Sequence, residues 1–301
     1  MSHEQPDPGS APVRVSVEFF PPRSPQMETT LRDCATALQG LAPAFASVTD
    51  GALASDSEMT PAIVLGLAEE TSLDLAAHMT CVARDRAATE ALARTYWRAG
   101  IRRIVALRGD RADAGPYRPD SAHYAYAVDL VDGLRRVADF EISVAAYPEV
   151  HPDAPSAAYD LDNLKRKLDA GATRAITQFF FDNSAFLRFR DRARTAGIEA
   201  PIVPGILPVT NFERAAEFAR RCGTRVPDDL AGRFAGVADS KEARRQAAVD
   251  FAVDQGESLR AHGVDAFHFY TLNRAEPTVT ICRHLGIAPA SRAVRAVASA
   301  R

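Results

Sequence analysis

Eight short runs rich in β-branched and aromatic residues recur along the chain, and segments with helical spacing of apolar residues separate them. Alternating strands and helices are typical of a parallel sheet, because parallel neighbours need a crossover connection. Eight such units close more naturally into a barrel than into an open sheet. The pattern therefore predicts an α/β protein, a single-domain (β/α)8 TIM barrel. Its predicted strands are Arg14–Phe20, Phe45–Asp50, Leu75–Cys81, Ile101–Arg108, Ile142–Tyr147, Ala175–Phe181, Ile202–Leu207 and Ala266–Leu272.

Several connecting segments carry their own signals. Helices are predicted over Arg86–Gly100 and Tyr159–Gly171, each ending in a glycine suited to a left-handed cap. Asn211–Gly263 is long enough for two or more helices, and the polar stretch Arg111–Ser121 is typical of an inserted loop. With 301 residues in the chain, we expect a flexible segment over 1–12, the barrel over 13–287 and a tail over 288–301.

Composition narrows the classes of partner. A formal net charge of -3 gives no basic field for nucleic acid, and no apolar run is long enough for a membrane span. Four widely spaced cysteines without a Cys-x-x-Cys pair indicate neither a disulfide framework nor a structural zinc site, and we expect no metal. The sequence predicts a cytoplasmic protein with a small-molecule substrate. We also expect it to form a homo-oligomer of unspecified size.

Polar residues gather where the predicted strands end, the rim at which barrels of this kind place their reactive groups. No Gly-x-Gly-x-x-Gly motif follows the first strand and no Gly-x-x-x-x-Gly-Lys motif occurs, so any dinucleotide must be held in another way. The helix that begins near Tyr159 offers one. Asp160, Asn163 and Lys167 fall on one face with Arg166 beside them, and such a face suits a ribose and a pyrophosphate.

Six strings at the strand ends resemble the bacterial methylenetetrahydrofolate reductases, in the order in which that family carries them. They are VEFFPPR (Val17–Arg23), ALRGD (Ala106–Asp110), AAYPEVHP (Ala145–Pro152), QFFFD (Gln178–Asp182), PGILP (Pro204–Pro208) and FHFYTLNR (Phe267–Arg274). The resemblance implies an FAD-containing oxidoreductase. NADH or NADPH and methylenetetrahydrofolate would take turns at the flavin in a ping-pong scheme that yields 5-methyltetrahydrofolate for one-carbon metabolism and methionine biosynthesis.

The resemblance also implies roles for single residues. Glu18 would protonate the bridging amine of the folate, and we expect burial at the mouth of an apolar barrel to raise its pKa. Asp110 would lie near the flavin and the pterin as a tuning carboxylate. Gln178 would hydrogen-bond the pterin, Arg274 would meet the substrate, and Phe218 would stack on the nicotinamide cofactor. A place in a helix core is the alternative for Phe218.

Matching positions imply the flavin contacts, and two positions depart from the family's pattern. Asp50 stands where an aromatic residue is usual, which would put an added carboxylate beside the flavin. Arg214 stands where the bacterial pattern has a glutamine that contacts the folate, and we keep it among the substrate-binding residues. The implied flavin-binding residues are Thr49, Asp50, Ala52, His78, Arg108, Gly109, Asp110, Tyr126, Ala127, Ala145, Tyr147, His151, Asp160, Asn163, Arg166 and Lys167.

Other functions stay open at this point. An FAD barrel of the proline dehydrogenase type shares the fold and the cofactor but needs no acid at Glu18. An aldolase barrel with a Schiff-base lysine is disfavoured, because no predicted strand ends in Lys. A folate- or nucleotide-binding module without catalysis would use the same pocket.

Overall fold

The structure is a computed structural model, and it describes residues 13–50, 59–109, 117–237 and 240–287. Strands and helices alternate along most of the described residues. The strands are β1 (Arg14–Phe19), β2 (Phe45–Val48), β3 (Leu75–Thr80), β4 (Arg103–Leu107), β5 (Glu141–Ala146), β6 (Arg174–Thr177), β7 (Ile202–Val203), β8 (Gly205–Ile206) and β9 (Ala266–Tyr270). The helices are α1 (Pro25–Leu38), α2 (Met59–Glu70), α3 (Arg86–Arg98), α4 (Ala127–Val137), α5 (Ala157–Asp169), α6 (Asn183–Thr195), α7 (Phe212–Cys222), α8 (Asp228–Ala235), α9 (Lys241–Ala261) and α10 (Ala275–His284).

All strand pairs are parallel, and the sheet closes into a barrel at Pro204. β7 pairs with β6 and β8 pairs with β9, so the two ends of the sheet meet at this residue. The predicted barrel is confirmed, but its seventh strand consists of two short pieces because proline has no N–H for the ladder. Gly205 is tightly packed: an added Cβ would lie 2.3 Å from the main-chain oxygen of Thr177.

The outward faces of the strands bury apolar side chains against the helices. Val17 and Phe19 of β1 are fully buried in the same cluster as Leu31 and Leu38 of α1. Alternation along a strand therefore turns Ser16 and Glu18 towards the inside of the barrel.

The inside of the barrel is layered. Arg103 and Arg174 both pair with Glu141 near the amino ends of the strands. Both guanidinium groups also lie over the ring of Phe45, at 5.6 and 5.2 Å. Phe45 belongs to a buried cluster with Val105 and neighbouring inward residues. This filling occupies the amino-terminal half of the barrel interior.

The predicted helices over 86–100 and 159–171 are confirmed as α3 and α5, and Gly100 and Gly171 have φ values of 86° and 114°. Three helices, α7 to α9, occupy the long connection before β9. The predicted terminal segments 1–12 and 288–301, and residues 111–116 of the predicted loop, lie outside the described residues. Within the described ranges, no helix is both long and apolar enough to cross a membrane.

Candidate active site

A cavity of about 930 Å³ opens at the carboxyl ends of the strands. Most of the predicted site residues line it, although they come from positions spread across 200 residues of the sequence. Convergence of this kind follows from the parallel barrel, which places every strand's carboxyl end at one rim. The predicted residues that line the cavity are Glu18, Thr49, Asp50, His78, Arg108, Gly109, Tyr126, Ala127, Ala145, Tyr147, His151, Asp160, Asn163, Lys167, Gln178 and Phe218.

The remaining predicted site residues lie elsewhere. Arg214 and Arg274 line an adjoining cavity of about 1330 Å³, which shares Phe218 with the first. Arg166 lines neither cavity, and its Nε lies 3.2 Å from a carboxylate oxygen of Asp162 on the same helix. Ala52 and Asp110 lie outside the described residues.

Glu18 faces two histidines from other strands. Its Oε2 lies 3.3 Å from Nε2 of His78 on β3 and 3.5 Å from Nε2 of His268 on β9. Burial alone would raise the pKa of Glu18, but the interactions with His268 and His78 outweigh burial and lower the pKa to about 2. The expectation of a raised pKa is therefore wrong.

The end of β1 is tied to the turn that follows β9. The hydroxyl of Thr271 donates to the main-chain oxygen of Glu18 at 2.6 Å. The side chain of Asn273 accepts from the Phe20 N–H at 3.1 Å and donates to its carbonyl at 2.9 Å. Leu272 and Asn273 both have positive φ, 49° and 54°, a conformation that costs non-glycine residues energy. These hydrogen bonds hold the strained turn at the border between the two cavities.

The carboxylate of Asp50 is buried and compensated. Its Oδ2 accepts from the main-chain N–H of Thr80 at 3.2 Å and from the Thr80 hydroxyl at 3.1 Å. Nη1 of Arg84 lies 3.3 Å from the same oxygen. Burial raises the pKa of Asp50, and Arg84 partly opposes that rise. The added carboxylate thus has its own cation, Arg84.

A buried lysine marks the opposite side of the cavity. Nζ of Lys167 donates to the main-chain oxygen of Ala145 at 2.6 Å, and burial lowers its pKa to about 8. Asp160 on the same helix accepts from the main-chain N–H of His151 at 2.9 Å. Asp160, Asn163 and Lys167 all line the cavity, so α5 presents its predicted polar face there.

Aromatic rings form much of the remaining wall. Tyr147 and His151 meet edge to face at 4.5 Å. Phe218 is 44% exposed and stacks on Phe179 at 5.2 Å, so it is not a helix core residue. Gln178 also lines the cavity, and its Oε1 accepts from the N–H of Phe179 at 3.0 Å.

Several wall residues were missed from the sequence. The sequence does carry a signal for His268 and Tyr270, because the alternation of side chains along a strand turns both residues towards the inside of the barrel. Arg84 follows its strand in a loop, where no periodicity indicates direction. The missed residues at or beside the cavity include Arg84, Tyr117, Asp153, Tyr159, Phe179, His268 and Tyr270.

Sequence relatives identify one family. The family model of methylenetetrahydrofolate reductase matches residues 4–286. The 5,10-methylenetetrahydrofolate reductases of Salmonella typhimurium and Escherichia coli are each 50% identical to this chain over 277 residues, which cover 92% of either chain. A protein of Arabidopsis thaliana named methylenetetrahydrofolate reductase (NADH) 1 is 33% identical over 94% of this chain and 50% of its own length.

Solved structures share the fold at much lower identity. A protein from Clostridium thermocellum that binds two copies of 5-methyl-5,6,7,8-tetrahydrofolic acid superposes with a TM-score of 0.61 at 14% identity, covering 92% of this chain and 94% of its own. Dihydropteroate synthase from Xanthomonas albilineans superposes with a TM-score of 0.51 at 13% identity, covering 96% and 95%. At these identities the likeness shows the barrel alone.

The lowered pKa of Glu18 predicts a pH-dependent stability. The folded protein protonates this group at about pH 2 and the unfolded chain at about 4.5, so its carboxylate stabilises the fold above 4.5 and loses that effect as the pH falls towards 2. We expect the urea midpoint of the wild type to fall towards that of Glu18→Gln over this window. Replacing the exposed Glu257 of α9 by Gln is the control. If the difference in urea midpoint between the wild type and Glu18→Gln does not change with pH, the assignment of a lowered pKa to Glu18 is contradicted.

Proposed function

Because this chain belongs to the methylenetetrahydrofolate reductase family and reduces 5,10-methylenetetrahydrofolate to 5-methyltetrahydrofolate, we propose that FAD and a reduced nicotinamide serve it at the 930 Å³ cavity. The observation that carries the proposal is the position of Glu18, a carboxylate inside that cavity and against two buried histidines. The name of the Arabidopsis relative includes NADH, which supports NADH as the donor.

The residues of the cavity fit a flavin dinucleotide. A pyrophosphate needs a cation to bind it, and Lys167 supplies a buried ammonium. Burial by itself disfavours the charged form of this ammonium. Asp160 and Asn163, on the preceding turns of α5, offer hydrogen-bond acceptors and donors for a ribose. Tyr147 and His151 give flat surfaces for a ring system. When bound, FAD accepts a hydride from the nicotinamide and supplies it to the folate.

The chain's own contribution to the chemistry is a proton. Reduction of methylenetetrahydrofolate requires its five-membered ring to open, which protonation of the bridging amine makes possible. We assign that proton to a carboxyl oxygen of Glu18, the only carboxylate among the described residues that faces both His78 and His268. The apolar filling beneath the site, centred on Phe45, keeps bulk water from approaching through the barrel.

The two adjoining cavities offer groups that match the successive parts of a folate. The amide of Gln178 in the first cavity both donates and accepts, as a pterin edge requires. Phe218 and Leu272 line both cavities and offer apolar surface to an aromatic ring. Arg214 and Arg274 in the second cavity suit a carboxylate. Asp110 keeps its implied role near the flavin and the pterin as a prediction from the resemblance.

Glu18→Gln separates the two half-reactions. Glutamine keeps the size of the side chain but has no acidic proton, so we expect folate reduction to fall by roughly a hundredfold or more. Reduction of the flavin by NADH should change little, since it needs no proton from Glu18. Stopped-flow absorbance of the flavin measures both steps, with Glu257→Gln as the control. Folate reduction at the wild-type rate would exclude Glu18 as the proton donor.

Lys167→Met tests the flavin site without an activity assay. Methionine fills similar space but removes the ammonium, so we expect the dissociation constant for FAD to rise by roughly tenfold or more. Flavin fluorescence on titrating the apoprotein with FAD measures the constant. Lys165→Met is the matched control, because Lys165 lies on the same helix and pairs with Asp169 instead. Equal flavin affinity in the two variants would mean that Lys167 does not hold the cofactor.

A further inference from the structure

We propose that His268 is a positioning residue which, together with His78, holds the proton that Glu18 passes to the substrate. The inference rests on the proposed function, in which Glu18 is the proton donor. It addresses a conflict within the site: the reaction needs a proton on Glu18, whereas the surroundings of Glu18 favour its carboxylate. A proton kept on a neighbouring group removes that conflict.

The ring of His268 has one fixed orientation. It is fully buried on β9, stacks on Phe45 at 5.9 Å and meets the ring of Tyr270 edge to face at 5.3 Å. In the register of β1 and β9, Ser16 is paired with His268. Nδ1 of His268 therefore lies 2.8 Å from Oγ of Ser16, and its Nε2 points to Glu18.

The contacts of Ser16 favour one tautomer of His268. The Ser16 hydroxyl has the main-chain oxygen of Phe267 as an acceptor at 3.4 Å, and when it donates there its oxygen accepts from Nδ1–H of His268. With Nδ1 protonated, Nε2 of a neutral ring would turn a lone pair towards the carboxylate of Glu18. Nε2 of His268 and of His78 are both buried without a regular hydrogen bond. One proton shared between these nitrogens and Glu18 removes the repulsion between the lone pairs of Nε2 and the carboxylate.

The proton transfers balance without another reagent. The Nε2–H bond of the His268 imidazolium breaks, its electron pair stays on the ring, and an O–H bond forms on the carboxylate of Glu18. That O–H bond then breaks as an N–H bond forms on the folate amine, and its electron pair stays on the carboxylate. His268 is left neutral with Nδ1–H on Ser16. His78 also lines the cavity, so solvent that enters the cavity can return a proton to the cluster of Glu18, His78 and His268.

Few other charged or titratable groups face this cluster within the described ranges. Asp50 on the β2 side interacts with His78 but is compensated by Arg84. The hydroxyl of Tyr270 donates to the main-chain oxygen of Thr177 at 2.8 Å and so points away from Glu18. Ser16 and Ser47 contribute only hydroxyls from β1 and β2. Since interacting groups titrate as a unit, a kinetic pH profile reports the cluster and not one residue.

His268→Gln tests the inference in the FAD-loaded enzyme. Glutamine can hydrogen-bond Glu18 but cannot hold a proton. We expect the alkaline limb of the folate half-reaction to move to lower pH by about one unit, with a rate loss of roughly tenfold at neutral pH. Flavin reduction by NADH should be unchanged. His262→Gln, at the exposed end of α9, is the control. An alkaline limb that stays in place overturns the inference, because a purely structural role would leave it there.

A second readout does not depend on turnover. Nitrogen-15 NMR of the labelled holoenzyme distinguishes imidazolium from either neutral tautomer, and the signals of His268 are those lost in His268→Gln. We expect imidazolium at neutral pH in the wild type and the neutral Nδ1–H form in Glu18→Gln. A neutral wild-type His268 with its proton on Nε2 overturns the inference.

Two further comparisons keep the outcomes separate. If Glu18→Gln still reduces the folate, the assignment of Glu18 as proton donor in the proposed function fails, and this inference fails with it. If Glu18→Gln is inactive and His268→Gln has an unshifted profile, only this inference fails. Should His268→Gln not fold, Ser16→Ala removes the partner of Nδ1 and should shift the limb in the same direction by a smaller amount. An unshifted limb in Ser16→Ala would then overturn it.

Discussion

Closure of the parallel sheet is the constraint on which the rest of the structure depends. Only because β8 pairs with β9, and β9 with β1, does His268 come beside Ser16 and within 3.5 Å of Glu18, some 250 residues away in sequence. Closure also places the carboxyl ends of all strands at one rim. The break at Pro204 and the close packing at Gly205 are the local adjustments that let the last gap close.

The charges around the cavity fall into two kinds. Glu18 and Asp50 have partners from the chain itself, two histidines for one and Arg84 for the other. Lys167 is different: among its described contacts it has only the main-chain oxygen of Ala145 as a close acceptor, and its pKa falls to about 8. A buried cation in that state gains most from an anionic ligand. This asymmetry supports the proposal that the phosphates of a dinucleotide would bind near α5 and that the proton chemistry would take place near β1.

Much of the architecture could be predicted from the sequence because it depends on local periodicity. Eight strand regions, the helices ending at Gly100 and Gly171 and the polar face of α5 all follow from spacing and cap residues. The pKa of Glu18 could not be predicted in this way. Its direction depends on His78 and His268, whose approach is set by barrel closure and strand register. Arg84 escaped prediction because a loop carries no periodic signal.

The central claim is that this barrel passes hydride to a folate through a bound flavin. The most direct measurement is to reduce the flavin-loaded enzyme anaerobically, remove excess NADH, and mix it with 5,10-methylenetetrahydrofolate alone. The account predicts that the flavin reoxidises and that one 5-methyltetrahydrofolate forms for each flavin. A flavin that stays reduced in the presence of saturating folate would contradict it.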